Sequence, residues 1–260
     1  MTPPKISVVI PSYNKVKYIG QTLDSIVSQK YSNLEVIIQD GGSSDGTLEI
    51  IKVFAEKYSD VIKYESKGDK GQLDAINKGL SKATGEVLTF INADDVFEPN
   101  TLGLVAKAYL KNPGSLWFAG RGKVIDSNNH EIAKLVTLYK TVCLRLNFYF
   151  LLLIFNFLMQ PSVFLTKQAY EKYGPFKGTG KFVMEYDLWL TLGAVAMPTI
   201  IDRCLSSFRL SGDNISSISF KNTLKEDFRI VKKYTGNPLI LLMHKINNWG
   251  RVFLINVLKI

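Results

Sequence analysis

A repeated alternation of short β-branched runs with helix-spaced apolar positions is the feature that most constrains this chain. Ile6-Ser7-Val8-Val9-Ile10 is a strand pattern ended by Pro11, and Ile19, Leu23, Ile26 and Val27 follow at helical spacing. The unit recurs as the strand Leu34-Glu35-Val36-Ile37-Ile38, a Gly/Ser/Asp loop, and a helix through Leu48, Ile51, Val53 and Phe54 opened by Asp45. It recurs again as Val61-Ile62-Lys63-Tyr64 with a helix through Leu73, Ile76 and Leu80, and then as the strand Val87-Leu88-Thr89-Phe90-Ile91. Such alternation predicts an α/β fold, with a mostly parallel, Rossmann-like central sheet, right-handed crossovers and helices on both faces.

In open sheets of this kind ligands sit at the carboxyl ends of the strands, where connecting loops converge. Three polar sequences fall there: Pro11-Ser12-Tyr13-Asn14, Asp40-Gly41-Gly42-Ser43-Ser44-Asp45-Gly46-Thr47 and Asn92-Ala93-Asp94-Asp95. Beyond about residue 115 the pattern weakens. Trp117-Phe118-Ala119-Gly120 and Gly122-Lys123-Val124-Ile125 read as two strands, Pro161-Ser162-Val163-Phe164-Leu165 as a third, and Met184 opens a helix that runs until Pro198. The absence of a repeat or low-complexity linker favours one compact domain with a helical C-terminal extension.

Composition narrows the class. The 260 residues are 46% hydrophobic and 21% charged, a globular profile that excludes disorder and a collagen-like chain. Lys and Arg number 32 against 23 Asp and Glu, a formal charge of +9 that suits an anionic partner. The basic residues are spread along the chain without a helix-turn-helix, zinc-finger or RNP motif, so nucleic acid is not the expected partner. Cys143 and Cys204 stand far apart, which argues against a zinc site or disulfide framework and for a reducing, cytoplasmic setting. Met1-Thr2-Pro3-Pro4-Lys5 lacks the apolar core of a signal peptide.

Asp94 and Asp95 end an apolar strand, where adjacent carboxylates repel unless a cation or donors neutralise them. Hard oxygen ligands at such a point suit Mg²⁺ or Mn²⁺, with substrate phosphates and water completing the shell; a helix cap is the structural alternative. Asp40 precedes Gly41-Gly42, so its carboxylate either accepts an N–H from a nucleobase or stabilises its own loop as an Asx turn. Tyr13 stacks on a base or packs. Lys67, Lys70 and the intervening Gly68-Asp69 make a charged loop that contacts a phosphate or base or is a solvated turn, while Asp74 and Asn77 share a helix face. Glu185 and Asp187, beside Tyr186 and Trp189, suit a general base raised in pKa by apolar surroundings or simply complement a helix dipole. His130 and His244 lack a partner Ser or Cys in a triad pattern, and Pro11-Ser12-Tyr13-Asn14 is not the glycine-rich loop of a dehydrogenase or nucleotidyltransferase.

Taken in order, the three rim sequences, Gly71-Gln72-Leu73-Asp74-Ala75-Ile76-Asn77-Lys78-Gly79, Ala83-Thr84-Gly85-Glu86, Gln160-Pro161-Ser162 and Glu185-Tyr186-Asp187-Leu188-Trp189-Leu190 resemble the family 2 glycosyltransferases of the GT-A fold. The resemblance spans residues 5 to about 212. It implies transfer of a sugar from a nucleotide-diphosphate donor, most commonly a UDP-sugar, with inversion at the anomeric carbon. The donor-binding set it implies is Pro11, Ser12, Tyr13, Asn14, Asp40, Lys67, Gly71, Asp74, Asn92, Ala93 and Asp94, with Asp94 and Asp95 at a Mg²⁺ or Mn²⁺ ion. Glu185, standing where relatives carry Asp in an acidic pair, is the expected general base and Asp187 the second choice. Asn92 replaces an Asp of many relatives, and Ser211 replaces the His that often follows Phe208-Arg209. The corresponding division is a catalytic domain over 1–215, with a nucleotide-sugar half about 1–120 and an acceptor half about 121–215, followed by an amphipathic extension over 216–260. A catalytically inactive sugar-nucleotide-binding or scaffolding protein is the alternative that would keep these motifs.

Two apolar segments remain. The run from Phe148 to Phe155, continuing to Met159, is too short to span a bilayer and is expected as buried core, with an apolar patch facing a lipid-linked sugar acceptor as the rival. The tail from Pro238 to Ile260 mixes Leu239, Leu242, Ile246 and Phe253 with Lys245, Arg251 and Lys259. A basic amphipathic helix of this kind suits the anionic inner face of the plasma membrane.

Overall fold

A computed structural model describes residues 2–178, 183–210 and 220–258. Its centre is a nine-stranded sheet formed by β1 (Ile6–Ser12), β2 (Leu34–Asp40), β3 (Ile62–Ser66), β4 (Val87–Phe90), β5 (Val96–Phe97), β6 (Trp117–Ile125), β7 (Glu131–Ile132), β8 (Val163–Thr166) and β9 (Thr199–Arg209). The spatial order is β3-β2-β1-β4-β8-β6-β9-β5, with β7 on the edge of β6. The first four strands pair in parallel, as the alternation requires. Beyond β4 the sheet is mixed: β8 runs antiparallel to β4 and β6, and only β6 with β9 is parallel. This second half lacks the strand–helix alternation that dictates parallel crossovers, which is why its pattern is weak in the sequence.

Helices cover both faces. On one side α1 (Ile19–Val27), α2 (Thr47–Lys57) and α4 (Thr101–Lys111) pack on Ile6, Val8, Ile10, Val36 and Ile38. On the other, α3 (Gln72–Lys82), α5 (Lys134–Leu146), α6 (Tyr149–Phe155), α7 (Lys167–Tyr173) and α8 (Met184–Val195) pack on Val9, Ile37, Leu88 and Phe90. Successive strand residues thus enter opposite cores, the period-two consequence of the pleat. In α1 the buried Ile19, Thr22, Leu23 and Ile26 make one stripe at helical spacing. In α8 burial is nearly continuous, with Met184, Tyr186, Leu188, Trp189, Leu190 and Leu192 all covered. Trp189 stacks on Trp117 at 5.6 Å between ring centroids.

Three local expectations change. The two short strands around Gly120 are one strand, β6, whose register against β9 shifts at Gly120–Gly122; a Cβ on Gly120 would lie 2.3 Å from Leu205 Cδ1, so only glycine fits the irregularity. Pro161 lies in a short 3₁₀ turn before β8 rather than in the strand. The second helix begins at Thr47, because Asp45 spends its carboxylate on Thr47 N at 3.0 Å, Thr47 Oγ1 at 2.5 Å and Val16 N at 3.0 Å.

The C-terminal part is helical. α9 (Phe220–Val231) and α10 (Pro238–Leu258) dock on α8 and α6. Lys233 Nζ lies 3.1 Å from Asp187 Oδ1, and Tyr234 Oη donates to the Asp187 carbonyl. No helix among the described residues is long and apolar enough to cross a membrane. α6 divides the 148–155 segment: Leu152, Leu153 and Ile154 are core, whereas Phe148 and Phe150 stay about half exposed.

Candidate active site

Because β2 and β3 lie to one side of β1 and β4 to the other, the loops after β1 and β4 part at a topological switch point, where a crevice opens. A cavity of about 580 Å³ occupies it, a volume typical of small-ligand sites. Its walls are Pro11, Ser12 and Tyr13 after β1, Gly41 after β2, Asp69, Gly71, Gln72 and Ala75 at the start of α3, Asn92, Ala93 and Asp94 after β4, and Lys15 and Phe208. Of the expected donor residues, Pro11, Ser12, Tyr13, Gly71, Asn92, Ala93 and Asp94 therefore meet in one place.

The carboxylates divide by environment. Asp94 faces the cavity, with Lys15 Nζ 2.6 Å from its Oδ2. Asp95, expected as a metal ligand, is fully enclosed: Oδ1 accepts from Arg209 N at 2.8 Å and Oδ2 from Asn92 Nδ2 at 3.1 Å. Burial, reinforced by the charge of Asp94, holds the Asp95 carboxyl well above the ordinary carboxylate range. These bonds fasten the turn to β9, and Asp94, beside it, lines the cavity. Arg209, also buried, completes the fastening by donating from Nε to the Asp94 carbonyl at 2.8 Å and from Nη2 to Gln21 Oε1 at 3.0 Å. Gln72 Nε2 donates to Asn92 Oδ1 at 2.6 Å, so the Asn of this motif is held by α3 and by Asp95 together.

Several expected donor residues also make contacts within their own loops. Asp40 accepts from Gly42 N, Ser43 N and Ser66 Oγ at Oδ2, an Asx turn, and from Ser43 Oγ alone at Oδ1. Asn14, in the left-handed region at φ 50°, links the β1 and β2 loops by accepting from Ser44 N at 3.0 Å. Asp74 accepts from Lys70 N and pairs with Lys78 Nζ at 2.7 Å, which closes the turn into α3. Lys67 lines a neighbouring hollow of about 250 Å³ with Gln39 and Asp40. Asn77 clasps the backbone of Phe176 with both side-chain atoms.

Glu185 and Asp187 open α8 outside the cavity wall. Asp187 is tied to Lys233, two residues past the end of α9. Burial pushes the Glu185 carboxyl up to about 7, with repulsion from Asp227 adding and the nearby Lys140 opposing. Lys140 is itself pushed down to about 7 by burial and the charge of Arg251. Glu185 therefore has the apolar setting, and Asp187 the lysine partner. Ser211 lies outside the described residues.

Lys15, Gln72 and Arg209 were not legible as site residues, whereas Asp69 belongs to the charged loop read as a phosphate or base contact or a solvated turn. Lys15 directly follows the left-handed Asn14, a kink that turns it into the crevice. Arg209 sits more than a hundred residues beyond its partners, at a separation that no local pattern reports.

Known proteins share much of this sequence and this fold. The sequence profile described as Glycosyl transferase family 2 matches residues 7–173. An uncharacterized glycosyltransferase of Nostoc sp. is 37% identical over 105 residues, covering 40% of this chain and 33% of that protein. A PGL/p-HBAD biosynthesis glycosyltransferase of Mycobacterium bovis is 38% identical over 107 residues, covering 41% of this chain and 42% of the relative. The matched region thus spans well under half of those curated relatives. Among solved structures, S. aureus TarS (residues 1-349) in complex with UDP-GlcNAc superimposes with TM-score 0.67 at 19% identity, covering 88% of this chain and 66% of that one. A mannosyltransferase from Pyrobaculum calidifontis in complex with GDP-Man and Mn²⁺ gives TM-score 0.69 at 18% identity over 95% of this chain and 70% of its own. These structural likenesses establish the shared GT-A fold.

Proposed function

Because the chain belongs to the family 2 glycosyltransferases, we propose that it moves a sugar from a nucleotide-diphosphate donor, a UDP-sugar by preference, to an acceptor hydroxyl with inversion. The observation that carries this reading is the switch-point cavity with two unlike ends: Tyr13 and Gly41 at one, Lys15 and Asp94 at the other. The first suits a flat base beside an exposed aromatic ring, the second an anionic diphosphate.

The residues at Asp94 fit a divalent ion. Mg²⁺ needs only one or two protein carboxylates when phosphates and water fill its other positions, and Asp94 offers one into the cavity, next to Asn92. When bound, Mg²⁺ or Mn²⁺ offsets charge on the departing diphosphate. Lys15 supplies a second positive charge to the same group. At the other side of the sugar the acceptor oxygen bonds to the anomeric carbon as the carbon–oxygen bond to the diphosphate breaks, and the hydroxyl proton passes to the Glu185 carboxylate. Holding both substrates together contributes up to about 7–11 kcal/mol toward the barrier.

The acceptor class that suits this protein is a sugar or lipid-linked saccharide destined for a cell-surface polysaccharide or glycolipid. α10 exposes Leu239, Leu242, Met243, Ile246 and Trp249 along one face, with Trp249 71% exposed. Lys225, Arg229, Lys232, Lys233 and Lys245 are exposed on the same two-helix extension. Its acids, Glu226 and Asp227, are paired with Arg229 and Arg251. Such a surface supports peripheral residence on an anionic membrane, and α5 adds exposed Leu135, Leu138, Val142 and Leu146. Flotation with anionic vesicles tests this: replacing Leu242, Ile246 and Trp249 with Ser should leave the protein in the unbound fraction, and equal recovery of both forms would count against it.

The reaction is tested by thermal stabilisation with UDP, dTDP, GDP and CMP, each with Mn²⁺ and with a chelator. Ligand at one hundred times its dissociation constant stabilises the fold by about 2.7 kcal/mol. A metal-dependent rise with one nucleotide is the expected result; no rise with any of them removes the donor-site reading, and binding without turnover on any acceptor favours the inactive binding protein.

A further inference from the structure

We infer that the C-terminal extension is a working part of the active site: Asp227 of α9 and Arg251 of α10 close a charged cluster with Lys140 of α5 that governs proton uptake by Glu185. The inference rests on Glu185 as the general base proposed above, and it makes Asp227 and Lys140 positioning residues for that base.

The last carbonyls of a helix have no partner within it, and those at the end of α6 are taken by side chains from three other elements. Tyr186 Oη of α8 donates to the Leu152 carbonyl at 2.7 Å, His244 Nδ1 of α10 to that of Leu153 at 2.8 Å, and Asn247 Nδ2 of α10 to that of Ile154 at 3.3 Å. Just past the helix end, Lys140 Nζ of α5 donates to the Asn156 carbonyl at 2.8 Å. Asn156, left-handed at φ 40°, also donates from Nδ2 to Asp227 Oδ1 at 3.3 Å. Asp227, fully buried, takes Arg251 Nη1 on its other oxygen at 2.8 Å. One turn of backbone thus carries Tyr186, the neighbour of Glu185, together with Lys140 and the Asp227–Arg251 pair of the extension.

A buried ion pair is a poor device for stability, because desolvation of the two charges offsets their attraction and apolar side chains fill such a space as well. What this one does is set charge beside Glu185. Burial is the largest influence on that carboxyl; the negative charge of Asp227 then strengthens its hold on a proton, and the amine of Lys140 weakens it. Arg251 pairs with Asp227 and repels Lys140. The other titratable groups around the start of α8 stay uncharged where Glu185 titrates. Burial lowers the proton affinity of His244 and holds the hydroxyls of Tyr139, Tyr149, Tyr170, Tyr186 and Tyr234 above their ordinary value. Asp187 is paired with Lys233, and Glu171 and Lys172 of α7 are exposed. A general base works best when its proton affinity matches the operating pH. Here the extension supplies the acid, and α5 the amine, that adjust it from opposite sides.

Carbon-13 NMR titration of the full chain labelled at glutamate Cδ tests the inference without any substrate, the Glu185 signal being the one lost in Glu185→Gln. Asp227→Asn combined with Arg251→Gln neutralises both partners and strands neither charge, which keeps the fold. The Glu185 midpoint should then fall by about one pH unit, the effect of a single nearby charge. Lys140→Met should move it the other way, up by about one unit, and Asp227→Glu, which keeps the charge, should leave it near the wild-type value. If the extension only props the fold, the variants lower the urea midpoint and leave the Glu185 midpoint in place. Unmoved midpoints, or shifts of the same sign in the double variant and in Lys140→Met, overturn the inference; where the double variant does not fold, the rise or its absence in Lys140→Met decides. Normal turnover by Glu185→Gln alongside opposite shifts is a different failure, which removes the base and with it the catalytic meaning of the cluster.

Discussion

Glu185→Gln separates catalysis from stability in a way that the surroundings of this residue make quantitative. Burial holds the Glu185 carboxyl at about 7 against an ordinary 4.5, and each pKa unit corresponds to 1.36 kcal/mol. The difference amounts to about 3 kcal/mol disfavouring the ionised side chain in the folded protein; because the residue keeps some solvent contact, about half of that is the working figure. A carboxyl raised in this way binds its proton more tightly folded than unfolded, so its favourable contribution is complete below about 4.5 and is lost as pH climbs through about 7. Gln carries no such loss. Urea unfolding should therefore show the variant gaining about 1–2 kcal/mol on the wild type between pH 4 and pH 8. Turnover should move the other way, falling by about 10²–10⁴-fold when a general base is removed, while the wild-type rate rises with pH through about 7 as the base loses its proton. A variant that turns over normally refutes the role as base, and a stability difference equal at both pH values refutes the burial argument.

Other consequences follow from the same geometry. Asp95→Ala strands the buried donors Arg209 N and Asn92 Nδ2 and should lower stability by about 2 kcal/mol, read as a shifted denaturant midpoint; an unshifted midpoint would mean that the turn does not depend on this carboxylate. Lys15→Met should weaken UDP about tenfold, as loss of a charge-assisted contact does, and leave uridine unaffected; equal loss for both would place Lys15 away from the diphosphate. Trp189→Ala removes a fully covered ring stacked on Trp117 and should destabilise by about 3–5 kcal/mol in the same unfolding assay.

The parallel half of the fold was legible because strands β1, β2 and β4 lie inside the sheet and read as unbroken β-branched runs, each followed by a loop and a periodic helix. The second half hid its order for an equally physical reason. β6 carries two glycines at a register shift, and its neighbours β8 and β9 are recruited from 44 to 84 residues away in the chain. A strand whose partners are distant and whose pairing is irregular leaves no local period to read.

The candidate site shows the same division at the level of single atoms. Residue type and spacing brought Tyr13, Asp40, Asn92, Asp94 and Asp95 to one rim, yet an acid after a buried strand can serve a ligand or its own backbone, and composition does not distinguish them. Hydrogen-bond capacity does. Gly42 N, Ser43 N and Ser66 Oγ converge on Asp40 Oδ2 while Oδ1 takes Ser43 Oγ alone, and Asp95 is enclosed between Arg209 and Asn92. Asp94 and Asp69 each turn a carboxylate oxygen into the cavity, toward Lys15 and toward the Tyr13–Gly41 gap respectively. Asp40 and Asp95 thus brace their loops from positions on the rim, and that bracing holds Asp94 and Asp69 beside the cavity. The polar loops after β1, β2 and β4 therefore join two tasks, bracing the rim through their own hydrogen bonds and turning carboxylate oxygens into the cavity.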